Sequence, residues 1–315
     1  MSSLRVATHS IQENLIQQLN QNQRTLASLQ KQLASGRRVS MPEDDPVIMG
    51  RTIRREAEKT ELSQYQTNNT LARSIVSSSE LHLNQLRDLA DLALGIANSV
   101  GDSTTDVELD GYRSQLDEIL NQSLDMANGK IDGDYLFAGV DYGQPPYSIN
   151  DNGTPNDPSD DTIDYNGSPT DPSDPNFTQA ETYVGNNTRM AARLNPEYNE
   201  DIQNMLQGLL DLRNSFDTNI APFSASNVKT IVSEIEDADD RIVIASSDLI
   251  TKQMRLELAS RSDEALYNQL DASISGEVGI DFTQLAVKMK QTETSYQAAL
   301  ASSSRILNLS LLNYI

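Results

Sequence analysis

The chain has 315 residues, a formal net charge of −22, and neither cysteine nor tryptophan. The acidic balance argues against nucleic acid as a partner, because phosphate contacts need clustered lysine and arginine. The lack of cysteine excludes disulfides and thiolate metal sites. No stretch approaches the ~18 apolar residues of a membrane span, and no signal-peptide core is present, so neither membrane insertion nor a cleaved leader is expected.

The charge is unevenly distributed along the chain. Residues 1–35 and residues 283–315 each carry a net charge of +2, which leaves −26 for the residues between them. The outer faces of both end segments are mostly Gln, Asn, Ser and Ala. Such neutral polar faces suit packing against neighbouring helices without like-charge repulsion, so the ends are expected to take part in assembly.

The first predicted helix runs from about Thr8 to Ala34, and Gly36 is expected to end it from the C′ position. Apolar residues recur along this helix at three- and four-residue steps, which predicts one packing face. That face is predicted to consist of Leu15, Leu19, Leu26, Leu29 and Leu33, with Ile11 preceding them.

A connector follows, in which Pro42 and Pro46 exclude continuous helix. Asp45 is suited to the N-cap of the next helix, with Pro46 at its first position. Asp44 and Asp45 could alternatively be a carboxylate pair for acid–base or metal chemistry. Capping is the favoured interpretation, because no histidine or third ligand lies nearby.

Four helices of a bundle are predicted in the body of the chain. Their approximate bounds are Val47–Asn98, Thr105–Asn128, Asp201–Phe216 and Ser226–Leu270. The first of them has a sustained heptad pattern. Its ten core positions are Tyr65, Asn69, Ala72, Val76, Ser79, Leu83, Leu86, Ala90, Ala93 and Ala97. In the fourth helix the predicted core includes Leu266, and Gly276 and Gly279 are expected to interrupt the chain after it.

The last predicted helix runs from Asp281 to Ile315 without a glycine or proline, and Asp281 with Gln284 suggests a capping box at its start. At 1.5 Å per residue this rod is roughly 50 Å long and needs a partner to bury its apolar stripe. The N-terminal helix is the expected partner. The key residues of the stripe are predicted to be Tyr296, Leu300, Leu307 and Leu311.

Residues 140–199 differ from the rest, since they hold eight of the eleven prolines, and no lysine or arginine occurs between Lys130 and Arg189. Residues 157–161 and 171–175 repeat an Asp-Pro-Ser-Asp pattern, which could bind calcium but lacks the glycine and terminal glutamate of an EF-hand. Solvent-facing turns are the simpler interpretation. We expect a small surface-exposed β unit, of which residues 150–176 are dispensable for assembly. Residues 134–139 are predicted to form a short strand.

The predicted fold is mainly α, with long paired terminal helices (a coiled coil) leading into a helical bundle that carries a small β-containing insert. Residues 1–45 and 281–315 would be the paired ends, residues 46–139 and 200–280 the bundle, and residues 140–199 the insert. The two histidines, His9 and His82, have no second ligand at helical spacing. No nucleotide-binding or nucleophile motif occurs, so neither an enzyme nor a cofactor or metal site is expected.

The connector sequence, residues 33–39 followed by Asp44-Asp45-Pro46, resembles that of flagellins. The Leu-Arg-Asp-Leu sequence of residues 86–89 also resembles flagellins. Residues 133–139 and the ending from Tyr296 onward are similar to a narrower group, the flagellin-like hook–filament junction proteins. The family motif falls here on Gly36, Arg37, Asp44, Asp45, Pro46, Tyr135, Leu136, Phe137 and Gly139.

This resemblance implies a structural protein of the bacterial flagellum, an adaptor that joins the hook side to the flagellin filament by coiled-coil packing. Its implied partners are the other junction protein, flagellin, its own copies in a ring, and an export chaperone. It would be secreted by the flagellar type III pathway and would reside at the junction outside the cell. The alternatives are flagellin itself, against which residues 135–137 argue, and an acidic helical adaptor acting as a binding module.

Overall fold

A computed structural model describes residues 2–154, 158–220 and 222–312, with side chains described from residue 13 to residue 304 within those ranges. The chain divides into two compact units. One consists of residues 1–61 and 266–315, and the other of residues 62–265. The insert therefore belongs to the same compact unit as most of the bundle, while the three-part division drawn from the sequence stays a prediction.

The described chain is mainly α-helical, as predicted. Its helices are α1 (Ser2–Ser35), α2 (Pro46–Ser99), α3 (Asp106–Ala127), α4 (Glu197–Ser215), α5 (Ala225–Val278) and α6 (Phe282–Leu312). Its strands are β1 (Lys130–Ile131), β2 (Asp134–Tyr135), β3 (Tyr147–Asn150), β4 (Thr162–Tyr165), β5 (Thr182–Gly185) and β6 (Thr188–Met190). The strands pair as three antiparallel hairpins, β1–β2, β3–β4 and β5–β6.

Within the 62–265 unit, α2, α3, α4 and α5 share one apolar core. All ten heptad positions predicted for α2 are buried, from Tyr65 to Ala97. Five of the ten are Ala or Ser, which lets neighbouring helices approach closely. Arg87, from the Leu-Arg-Asp-Leu segment, makes a bidentate pair with Asp239 of α5, with Nε–Oδ1 2.6 Å and Nη2–Oδ2 3.0 Å. This bond raises the pKa of Arg87.

The insert is more deeply buried than the predicted surface-exposed β unit. Strand β4 places Ile163 in the shared core with 2% of its surface exposed. Two glutamine side chains of α4 satisfy the backbone hydrogen-bonding groups of Ile163. The N–H of Ile163 donates to Gln207 Oε1 at 2.8 Å, and the Ile163 carbonyl accepts from Gln203 Nε2 at 2.6 Å. Residues 162–168 are thus part of the fold, whereas residues 170–178 are half-buried or exposed. Asp171 and Asp174 accept bonds from the backbone N–H groups of Ser173 and Asn176, which confirms the predicted turns.

The predicted strand over residues 134–139 is wrong beyond Tyr135. Leu136, Phe137 and Ala138 are all buried, which a strand cannot achieve on one face because successive side chains alternate. The chain bends after β2 instead, and all three side chains enter the core.

Two further expectations for α5 are wrong. Gly276 does not interrupt the helix, which continues to Val278, and Leu266 is 38% exposed rather than in the core. A single glycine costs a helix only about 1 kcal/mol, which the packing of Ile274 and Val278 can offset.

Candidate assembly interface

The unit of residues 1–61 and 266–315 contains the two terminal helices, and they pack against each other as predicted. Arg37, just after α1, forms an isolated antiparallel bridge with Gly279, just before α6. The end of α1 and the start of α6 therefore lie side by side. The two helices run in opposite chain directions and form an antiparallel pair. Among the predicted α1 residues, Leu29 is buried, whereas Leu15, Leu19 and Leu26 are half-buried. Across the pair, Leu285 is buried and Tyr296 is half-buried.

Leu33 and Leu300, both predicted on the pairing stripes, lie outside the buried face of the pair. They are 40% and 45% exposed, and the neighbouring Gln32 and Ala299 are half-buried instead. The predicted stripes continue from Leu29 and from Tyr296 by a four-residue step. In the structure the buried face of each helix continues by a three-residue step. The helix backbone includes Leu307 and Leu311, but their side chains lie outside the part of the chain whose side chains are described.

The pair leaves further apolar side chains on its outer surface. Ile16 of α1 is 58% exposed, and Val287 of α6 is 52% exposed. Together with Leu33 and Leu300, they leave each helix with apolar side chains that the pair itself covers only in part. A helix that is apolar beyond its one packed face is suited to contact additional helices.

The connector and the end of α5 form a compact joint, here called the connector clamp (residues 36–49 and 274–281). Gly36 ends α1 with a φ of +65°, the left-handed conformation expected of a C′ glycine. The backbone N–H of Arg38 donates to the carbonyl of Val278 at 2.6 Å. Val39 is 2% exposed and packs with Ile274 and Val278 in a small core of its own, flanked by Ile48 and Met49.

Two aspartates of the family motif fix the connector through backbone bonds. Asp45 Oδ1 accepts from the N–H groups of Val47 and Ile48 at 3.0 and 2.9 Å, which confirms the predicted N-cap with Pro46 at the first helical position. Asp44 Oδ2 accepts from the N–H groups of Ser40 and Met41, both at 2.9 Å. These backbone bonds lower the pKa of Asp44. The two carboxylates are therefore engaged in holding the chain path rather than facing each other across a reactive site.

Ion pairs between α2 and α5 surround the connector clamp. The Glu277 carboxylate forms ion pairs with Arg55, at 3.0 Å from Nη1, and with Arg51, at 3.5 Å from Nε. Further along the same two helices, Lys59 binds Asp271, and this bond raises the pKa of Lys59. The Lys59 ammonium also lies 4.5 Å from the centre of the Tyr267 ring. Sequence reasoning missed these pairs, because the partners are more than two hundred residues apart and only the antiparallel register of α2 and α5 brings them together.

The remaining motif residues lie in the 62–265 unit. Asp132 and Gly133, with φ values of 52° and 97°, form the tight turn between β1 and β2. Lys130 Nζ lies 4.1 Å from the centre of the Tyr135 ring, and the half-buried Arg193 donates to the carbonyl of Tyr135. Gly139 has a φ of +68° and approaches the Ser168 side chain so closely that an added Cβ would lie 2.4 Å from its Oγ. This motif is therefore a packed corner of the fold.

Among the described residues, no group of three or more His, Asp or Glu side chains could hold a metal ion. Asp281 accepts from the N–H groups of Thr283 and Gln284 at 2.8 and 3.1 Å, so it caps α6 as predicted. In the described part of the chain, no helix combines the length and apolar character that crossing a membrane requires. What the geometry offers is a helix pair with uncovered apolar side chains, held at one end by a compact joint.

Comparison with known families agrees with this geometry. Residues 6–141 match the family described as the bacterial flagellin N-terminal helical region. The predicted resemblance to the flagellin family is confirmed. The matched region begins in α1, includes the whole connector and the Leu-Arg-Asp-Leu segment of α2, and ends just beyond Gly139.

Individual proteins similar to this chain are described as flagellar hook-associated or junction proteins. Flagellar hook-associated protein 3 of Salmonella typhimurium is 26% identical over 146 residues, and the chain spans about half the length (46%) of this curated relative. A flagellar hook-associated protein of Vibrio parahaemolyticus has a TM-score of 0.63 at 18% identity, over 75% of this chain and 100% of that one. The flagellar junction protein FlgL of Legionella pneumophila has a TM-score of 0.54 at 14% identity, over 72% and 99%. At these identities the solved structures establish the shared fold.

Proposed function

We propose that this chain is a structural adaptor of the bacterial flagellum, located between the hook side and the flagellin filament, and that it is not an enzyme. The observation that carries the proposal is the antiparallel α1–α6 pair with apolar side chains left on its outer surface. The flagellin-type region and the similarity to hook-associated protein 3 support the flagellar setting.

The physical argument concerns where binding energy can come from. Burying an apolar side chain such as Leu contributes about 1.5–3 kcal/mol. Leu33 and Leu300 stay 40% and 45% exposed in the pair, so the remaining part of this energy is gained only when neighbouring subunits cover them. Repetition of the same contact around a ring multiplies its effect. Leu15, Leu19, Leu26, Leu29 and Tyr296 then hold the pair in shape, while Leu33, Leu300, Leu307 and Leu311 are proposed to contact neighbours.

The partners follow from this role. They are copies of the chain in a ring, the other hook–filament junction protein on one side and flagellin on the other. Export would occur through the flagellar type III pathway with a dedicated chaperone, and the mature protein would reside outside the cell at the junction. The small residues at the core positions of α2 and the neutral outer faces of the end helices are consistent with dense packing of rods.

The first experiment replaces exposed apolar residues of the terminal helices in the native host. Leu300→Asp and Leu33→Asp should each prevent filament attachment, so that flagellin appears as monomers in the medium. Ser302→Asp is the matched control, because Ser302 is exposed on the same helix and its side chain is small and polar. The amount of secreted variant must equal that of the unmodified protein, which separates assembly from export. Normal filaments on the Leu300→Asp strain would contradict the proposal.

A second experiment distinguishes the adaptor from flagellin itself. Antibody labelling of intact flagella should mark one point at the base of the filament. Labelling along the whole filament would identify the chain as the filament subunit instead.

A further inference from the structure

An apolar strip runs along the outer side of α5 within the 62–265 unit. It consists of Val243, Ser247, Ile250, Met254 and Leu258, at three- and four-residue steps, and is here called the α5 strip. Its apolar members are 39%, 44%, 58% and 66% exposed, in chain order. An open groove of about 500 Å³ follows its second half, from Ile250 to Arg261.

The α5 strip is not needed to hold α5 in the fold. The helix packs into the core with a different face, on which Ile242, Leu249 and Leu256 are fully buried. A helix that is apolar on two faces while only one is covered usually has a second partner.

We infer that the α5 strip packs against the α5 strip of a second copy of this chain, with the two helices antiparallel and related by a two-fold axis between Ile250 and Thr251. In that register Val243 lies opposite Leu258 and Ser247 lies opposite Met254. Each larger, more exposed side chain therefore meets a smaller one, and the strip is complementary to itself. An isologous contact of this kind requires a single surface that serves both partners.

The charges at the two ends of the α5 strip select the antiparallel arrangement. Asp240 precedes Val243 by one step, and Arg261 follows Leu258 by one step; both are exposed. The same two-fold axis brings Asp240 of each copy opposite Arg261 of the other. A parallel arrangement would instead place the two Asp240 carboxylates together and the two Arg261 guanidinium groups together.

Arg261 is available for this second bond. Its side chain is 73% exposed, although its Nε donates to Glu257 of the same helix at 2.9 Å. A guanidinium has five N–H donors, so one carboxylate in its own helix leaves donors for another across the dimer.

The contact is small. From Asp240 to Arg261 the helix rises about 30 Å. A single helix pair of that length lies at the low end of interface sizes, which predicts a weak and exchanging dimer. Since a two-fold pair closes on itself and cannot propagate around a ring, this contact is separate from the ring contacts proposed for the terminal helices. This last consequence rests on the proposed function, whereas the dimer itself does not.

The test uses the lack of cysteine in the native chain. In purified full-length protein at ~0.15 M salt, where charges beyond about 8 Å are screened, Ile250→Cys should form a disulfide-linked dimer under mild oxidation, because the two-fold axis brings the two introduced thiols together. Leu92→Cys is the matched control, as Leu92 is 60% exposed on α2 and lies outside the α5 strip. Equal cross-linking of the two variants would overturn the inference.

Sedimentation velocity tests the charges. The unmodified chain should show a concentration-dependent dimer that Arg261→Glu weakens at least tenfold, and the double variant Asp240→Arg/Arg261→Glu should restore it. Unchanged circular dichroism establishes that each variant is folded. A chain that stays monomeric at several hundred micromolar overturns the dimer. A double variant that fails to restore the dimer overturns the antiparallel register. Because these measurements use the free chain, their failure leaves the junction role untouched.

Discussion

The guanidinium of Arg38 donates to the backbone carbonyl of Glu277 at 2.8 Å, across 239 positions of the sequence. The carboxylate of the same Glu277 binds Arg51 and Arg55 from α2. One residue therefore joins the connector, α2 and the end of α5, and the chain path between the terminal helices depends on it.

Glu277→Ala should loosen the connector clamp without unfolding the protein. The Ala backbone still accepts from Arg38, so only the two partly exposed ion pairs are lost, which amounts to about 1 kcal/mol in total. Hydrogen exchange of the Arg38 amide, which donates to Val278, should become roughly fivefold faster. Glu264→Ala, an exposed change on the same helix, is the control. Equal protection in the two variants would show that the ion pairs do not hold the joint.

Asp263→Asn should stabilise the 62–265 unit at neutral pH. Burial raises the pKa of Asp263, whose Oδ2 lies 3.4 Å from Asn69 Nδ2. A carboxyl with a raised pKa binds its proton better in the folded state, so the free energy of unfolding falls as the pH rises from the ordinary aspartate pKa to the raised one. The thermal midpoint of the variant should exceed that of the native chain at pH 7, and the difference should shrink at pH 4. A difference independent of pH would refute the ionisation argument.

Three glycine substitutions in and just after residues 133–139 separate backbone strain from steric contact. Gly139→Ala should be strongly destabilising, because Gly139 has a φ of +68° and its Cβ would meet Ser168. Gly133→Ala has the same kind of backbone at +97° but open space around it, so it should cost only the left-handed penalty of about 1–2 kcal/mol. Gly143→Ala meets neither obstacle and should be neutral. Urea unfolding of the three variants gives the order, and a Gly139 variant no worse than the Gly133 variant would contradict it.

The insert should tolerate change in one part and not in the other. Replacing residues 170–178 by a Gly/Ser linker should leave the thermal midpoint nearly unchanged, because that segment is largely on the surface. Ile163→Ala should cost about 2–5 kcal/mol, since Ile163 is 2% exposed in the shared core. Scanning calorimetry compares the two. Equal losses would mean that the loop carries structure that its exposure does not indicate.

The sequence by itself determined the helices and the buried face of α2. All ten positions predicted there are buried, and α2 begins with the predicted Asp45 cap, because helical period, capping and proline act within a few residues. It also determined that the chain ends pair, since two narrow apolar stripes on long rods need a partner.

Only the tertiary structure decided which members of a stripe are covered. Leu33 and Leu266 follow the helical period as well as their buried neighbours do, yet they stay 40% and 38% exposed, because the segments packed beside them cover them only in part. Ile163, set in an acidic and proline-rich stretch, is buried because α4 supplies both apolar contact and two glutamine side chains for its backbone. The helical period of apolar residues indicates which side chains can pack against another segment. Contacts between residues far apart in the chain determine where that segment lies.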